Sequence, residues 1–218
     1  MPKFVLRFML IGLTILVFIS FSYQKIVDCI VATIDREIIS LLDLKIYEEF
    51  ILTEEEIKDG VEKVLEKVIE IKLVAREGQK EISLNQEEIL QALDDLFHWR
   101  GEEKVREKMK SYGLSLDDLE GYLREKLIYK KMINLHSSLQ VGVTLKEIEN
   151  YYHQKYVIES QDKKMEPPPL IKVLVEIENQ IRQAKIREQM ADWIRGLKDK
   201  TSIKVNQSCL KLIEREGL

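Results

Sequence analysis

The sequence predicts a mainly α-helical protein with short strands near both ends. Three observations carry that prediction. Capping signals of the form Ser/Thr/Asn-x-x-Asp/Glu stand at Ser40–Asp43, Thr53–Glu56, Asn85–Glu88, Ser115–Asp118 and Thr144–Glu147; each such pair satisfies N–H groups that a first helical turn leaves free. Behind them, apolar residues recur at three- and four-residue spacing, the period of a helix with one buried face. The 218 residues include only 4 prolines and 9 glycines, so little interrupts long regular elements.

Taken in order, Ile26–Ile34 (IVDCIVATI) is β-branched and reads as a strand. Asp35–Glu37 is a polar turn, and Ile38–Ile39 a second short strand. Ser40 then starts a helix with Leu41, Leu44, Ile46 and Tyr47. The helix behind Thr53 carries Ile57, Val61, Val64, Leu65, Val68, Ile71 and Val74, and Gly78 fits its end. The helix from Asn85 carries Ile89, Leu93, Leu96 and Phe97 up to Gly101, and a charged helix follows to Tyr112, where Gly113 acts as a stop. Ser115 starts a helix with Leu119, Leu123, Leu127 and Met132 on one face, and Thr144 starts another with Ile148, Tyr151 and Tyr152. Residues 157–169 (VIESQDKKMEPPP) are polar and end in three prolines, which reads as a linker. Beyond it Leu170, Leu174, Ile177, Ile181 and Ala184 step along one helical face, and Met190, Trp193, Ile194 and Leu197 continue the stripe. Thr201–Val205 reads as a short strand.

The first residues differ from the rest. Lys3 and Arg7 precede an uncharged run from Phe8 to Gln24, and Ser20 and Ser22 have the spacing of a cleavage site. Residues 1–22 therefore read as a secretory signal peptide. The rival reading is an uncleaved membrane anchor within residues 4–24, a run at the lower length limit for spanning a bilayer. Both readings send the remainder of the chain out of the cytoplasm, to a periplasmic or other extracytoplasmic location. The net charge of −4, with no Lys/Arg block, argues against a nucleic-acid partner. Export permits a disulfide between Cys29 and Cys209; two separate thiols are the alternative, since sequence does not supply the geometry.

Catalytic patterns find little support. His98, His136 and His153 lie in no metal-binding spacing, there is no Gly-rich phosphate loop, and the Asp/Glu runs at 54–56, 87–88 and 117–118 sit in first turns, where they complement helix dipoles. No cofactor and no enzymatic activity are expected. Phe97, Trp99 and Tyr112 lie off the strongest apolar stripes and are the candidate client-binding residues, with methionines such as Met109, Met132, Met165 and Met190 suited to an adaptable surface.

Four segments carry a resemblance to a known family. They are IVDCIVATIDREIISLLDL (Ile26–Leu44), VLEKVIEIKLVAREGQKEISLNQEEI (Val64–Ile89), MKSYGLSLDDLEGYLREKLIYKKMI (Met109–Ile133) and VGVTLKEIENYY (Val141–Tyr152). In order and spacing the chain resembles the SurA family of periplasmic chaperones and the related PpiD and PrsA foldases. The resemblance implies a helical chaperone module over residues 23–156. It also implies a C-terminal helix and strand, within 170–218, that return to that module and pair with the N-terminal strand. In the family a parvulin isomerase domain follows the Tyr-Tyr helix; here only the linker at 157–169 does, too short to bury a core. The resemblance thus implies an ATP-independent holdase that binds unfolded outer-membrane or secreted proteins, without isomerase activity. Two other readings stand beside it: a structural or assembly partner of the cell envelope that associates with itself or another protein through the 170–197 helix, and a peptidyl-prolyl isomerase.

Overall fold

The computed structural model describes residues 29–137 and 141–216. The signal-peptide and anchor readings of residues 1–24, and the start of the expected first strand, lie outside the described residues.

Strand β1 (Ile30–Ile34) is the middle of a three-stranded antiparallel sheet, between β2 (Glu37–Ser40) and β3 (Ile203–Val205). Ile34 sits opposite Glu37 on one side and Ile203 on the other. In β2 Ile39 is inside and Ile38 faces solvent, whereas in β1 a register shift between Ile30 and Ala32 breaks the alternation, so that Val31 and Ala32 are both buried and Ile30 is exposed. Asp35 makes the turn with φ 55°, a left-handed conformation that Asp tolerates. Its backbone N–H donates to the Ser202 carbonyl at 2.8 Å, and its carboxylate accepts from Ser202 N–H and from Arg76, both at 2.9 Å.

Ser40 caps α1 (Leu41–Ile46) in a reciprocal box with Asp43, and a π-helical turn, Tyr47–Ile51, carries the chain on to Leu52. The helix expected from Thr53 to Gly78 is two helices. A single turn, α2 (Glu54–Ile57), ends before Gly60, whose φ of 90° no helix allows, and α3 (Val61–Gly78) starts afresh. The apolar period continues across the break, which is why the spacing alone read as one helix.

From Val68 to Ala75, α3 is buried almost all round, so it is the central rod of the core. Against it lies α6 (Leu116–Ser137), capped by Ser115 and Asp118. The two helices approach closely at Gly78, where a β-carbon would stand 2.5 Å from Met132 Cγ and 2.6 Å from Ile128 Cγ2. Between them in sequence, α4 (Gln86–Arg100) and α5 (Glu102–Tyr112) form a hairpin around Gly101, and Gly113 closes α5 in the left-handed conformation.

The segment after α6 departs from expectation. Helix α7 (Leu145–Tyr152) runs through a π-helical turn, His153–Val157, into α8 (Ile158–Asp162). The linker read at 157–169 is therefore loop only over 163–169. Val157–Asp162 has no helix breaker, and the stop comes from Lys164 at φ 54° and the prolines beyond it. Helix α9 (Leu170–Asp199) spans 30 residues, about 45 Å. After β3 comes a helix the sequence reading lacked, α10 (Gln207–Glu216), capped by the Asn206 side chain on Cys209 N–H.

Two apolar clusters result. The large one unites the sheet, α1, α3–α6 and α10, with Trp193, Ile194 and Leu197 of α9 against it. The small one joins Ile148 of α7 to Ile177 and Ile181 of α9, with Tyr151, Tyr152 and Leu174 around them. Cys29 and Cys209 form a disulfide, Cα–Cα 6.4 Å, fastening α10 beside β1 across a separation of 180 residues.

A bridge over so long a loop restricts the unfolded chain strongly. Cys209→Ser should lower unfolding free energy by about 2–5 kcal/mol in urea titrations; an unchanged midpoint would show that the bridge adds nothing.

Candidate functional site

Helix α9 is anchored at its two ends and loosely covered between them. Ile177 and Ile181 are buried in the small cluster, whereas no α9 residue beyond Ile181 is fully buried. Its far end is held by partial burial and by Trp193, which stacks on His136 of α6 with ring centroids 3.8 Å apart. Along the intervening stretch, Ile186, Met190 and Ile194 follow one another by four residues and face Ile133 and Tyr129 of α6 across a groove of about 570 Å³. That size is in the range of ligand-binding clefts.

A chain of charged and phenolic groups runs along the α3–α6 seam, and its Glu70 and Tyr129 also line this groove. Lys67 Nζ lies 3.0 Å from Glu70 and 2.6 Å from the Tyr129 hydroxyl, which itself donates to Glu70 at 2.5 Å. Lys126 meets Glu56 at 2.9 Å. Lys72, buried at mid-seam, bonds Glu37 at 2.6 Å and Glu125 at 3.2 Å, and Tyr47 donates to Glu125. Burial alone would lower the Lys72 pKa, but Glu125 and Glu37 outweigh it and hold it above its ordinary value. Burial, reinforced by the neighbouring carboxylates, raises Tyr47 and Tyr122, and raises Tyr129 to about 12. The Tyr122 hydroxyl donates to Asp43 at 2.6 Å.

The small cluster has its own fastening. Lys185 of α9 lies 2.6 Å from Glu147 at the start of α7 and donates to the Gly142 carbonyl at 2.9 Å. Lys185, with the Thr144 backbone and hydroxyl, holds the Glu147 carboxyl down at about 2.

A second groove, about 310 Å³, lies between α4 and α6. Phe50, Leu52, Leu96 and Leu123 line it, and Trp99 stands on its rim, 60% exposed. The Arg100 guanidinium sits 4.6 Å from the Trp99 ring and donates to the Leu52 carbonyl at 3.1 Å.

The three aromatic candidates are placed differently, although Tyr112 packs on Phe50, which lines the groove beside Trp99. Trp99 is exposed, but Phe97 is half-buried against the large cluster with Arg106 over its ring, and Tyr112 packs edge-on to Phe50. Phe97 and Trp99 are two residues apart on one helix, and so point about 200° apart. Sequence reasoning named Met190 as an adaptable methionine but did not read the groove under α9, because Met190 and Ile194 also belong to a stripe that reads as packing; only tertiary structure shows what lies opposite them. Among the described residues, no group of three or more His, Cys, Asp or Glu could hold a metal ion, and no helix is long and apolar enough to cross a membrane. No protein-family model matches the chain, and no curated protein does.

The phenols and Lys72 set an alkaline limit. In the unfolded chain tyrosine and lysine lose protons near pH 10–10.5, while the folded groups hold theirs to higher pH. Their contribution is whole below about pH 10 and is lost as pH rises toward 12. Urea midpoints should therefore fall between pH 9 and pH 11.5, and a constant midpoint over that range would refute the seam's role.

Proposed function

We propose that this chain is a non-enzymatic, ATP-independent holdase of the cell envelope, a chaperone of the SurA type without an isomerase domain. It binds unfolded outer-membrane or secreted polypeptides and keeps them from aggregating. The observation that carries the reading is the partly open groove under α9, with Ile133, Ile186, Met190 and Ile194 among its lining residues. An unfolded segment needs apolar surface that is exposed, adaptable and wider than one side chain, and a methionine-bearing groove between two helices supplies it. The order of sequence segments that resembles the family supports the same reading. Trp99 and its smaller groove offer a second contact region for a long client.

A structural or assembly partner of the envelope is the second reading. Ile171 (78% exposed) and Val175 (66%) stand one turn apart on α9, outside both clusters, and would suit a helix-to-helix contact.

Light scattering of a denatured outer-membrane protein diluted into buffer tests the first reading. Suppression near stoichiometric ratio without nucleotide is expected, and unchanged scattering by folded protein would overturn it. Met190→Glu should weaken suppression by about threefold or more, as for a residue central to a binding surface. The same substitution should shift stability by no more than about 0.5–1 kcal/mol, because Met190 is only half-buried.

A further inference from the structure

The charges bordering the α9 groove do not cancel. Glu70 is the acidic residue lining it, and that carboxylate is already engaged by Lys67 and the Tyr129 hydroxyl. Arg187, Arg195 and Lys198 line the same groove from α9. Arg195 pairs with Asp192 at the surface, at 2.8 Å, whereas the Arg187 and Lys198 side chains form no ion pair among the described residues. Two unneutralised cations thus border an apolar floor, in a chain whose net charge is −4. Along the helix axis Arg187 and Lys198 lie about 16 Å apart. In an extended peptide, side chains on one face recur about every 7 Å, so carboxylates four residues apart span about 13 Å, and the flexible cationic side chains cover the remainder.

Taking the α9 groove as the client surface, we infer that it selects extended apolar segments bearing two acidic residues about four positions apart, and disfavours basic ones. The apolar residue between the two acids packs against Met190 and Ile194, while the carboxylates reach Arg187 and Lys198. Charge complementarity of this kind sets partner choice more than it sets affinity. It also gives the binding a salt dependence that an apolar groove alone lacks.

The test uses protein purified from cells expressing the full chain. Three labelled peptides share one apolar pattern and carry Glu, Gln or Lys at the two flanking positions; their binding is followed by fluorescence anisotropy at low and high salt. The Glu peptide should bind at least about fivefold tighter than the Lys peptide at low salt, with the gap closing at high salt. Arg187→Glu combined with Lys198→Glu, both at solvent-accessible positions, should reverse the order. Equal affinity for all three peptides, in protein that still suppresses client aggregation, overturns the acidic preference and leaves the holdase reading standing. Suppression of aggregation with no peptide binding overturns it too. Absence of both activities overturns the holdase reading together with the inference.

Discussion

The pairing of β3 with β1 is the constraint on which the rest of the structure depends. It brings residues 203–205 back beside 32–34, so that the chain closes on itself. Without β3, β1 would become an open edge, and Cys209, Leu210 and Ile213 of α10 would lose their burial. The closure is fixed at three points: the strand ladder, the Cys29–Cys209 disulfide, and the Asp35 carboxylate, which holds both Arg76 and Ser202. Those last contacts hold the Asp35 pKa below its ordinary value, the Ser202 N–H contributing most and Arg76 next. With its C-terminal end fixed and its N-terminal half seated on α7, α9 becomes a strut. A strut held at two ends leaves a groove between them.

The seam between α3 and α6 explains why the groove's other wall is firm. Gly78 lets the helices touch, and the Lys72–Glu125–Tyr47 group fixes their register. A buried charge is costly unless paired, so Lys72 is tolerated only in the arrangement where Glu37 and Glu125 both reach it. Among the described residues, no comparable set of buried bonds holds the α9 side of the groove between Lys185 and Trp193, and Met190 there is only half-buried.

The parts of this fold that were legible in the sequence are those decided locally. Each expected capping pair starts a helix, because a cap is satisfied within four residues. The stops at Gly78, Gly101 and Gly113 are local in the same way, and the mainly helical class follows. What failed depended on competition between signals. The apolar period hid the break at Gly60, the prolines at 167–169 cast their influence too far back over Val157–Asp162, and α10 was short enough to pass unread. The surroundings of the aromatic candidates were illegible for a different reason. Exposure is set by which helix lies opposite, and sequence does not say that Tyr112 has Phe50 for a neighbour or that Met190 has open space.

The most direct test of the account replaces single residues by a photo-reactive amino acid and asks which position labels an unfolded outer-membrane protein. Position 190, in the α9 groove, should label the client strongly, position 99 less, and position 171, on the outer face, little. Labelling from 171 to a second copy or another envelope protein, with none from 190, would contradict the account and make α9 an assembly helix.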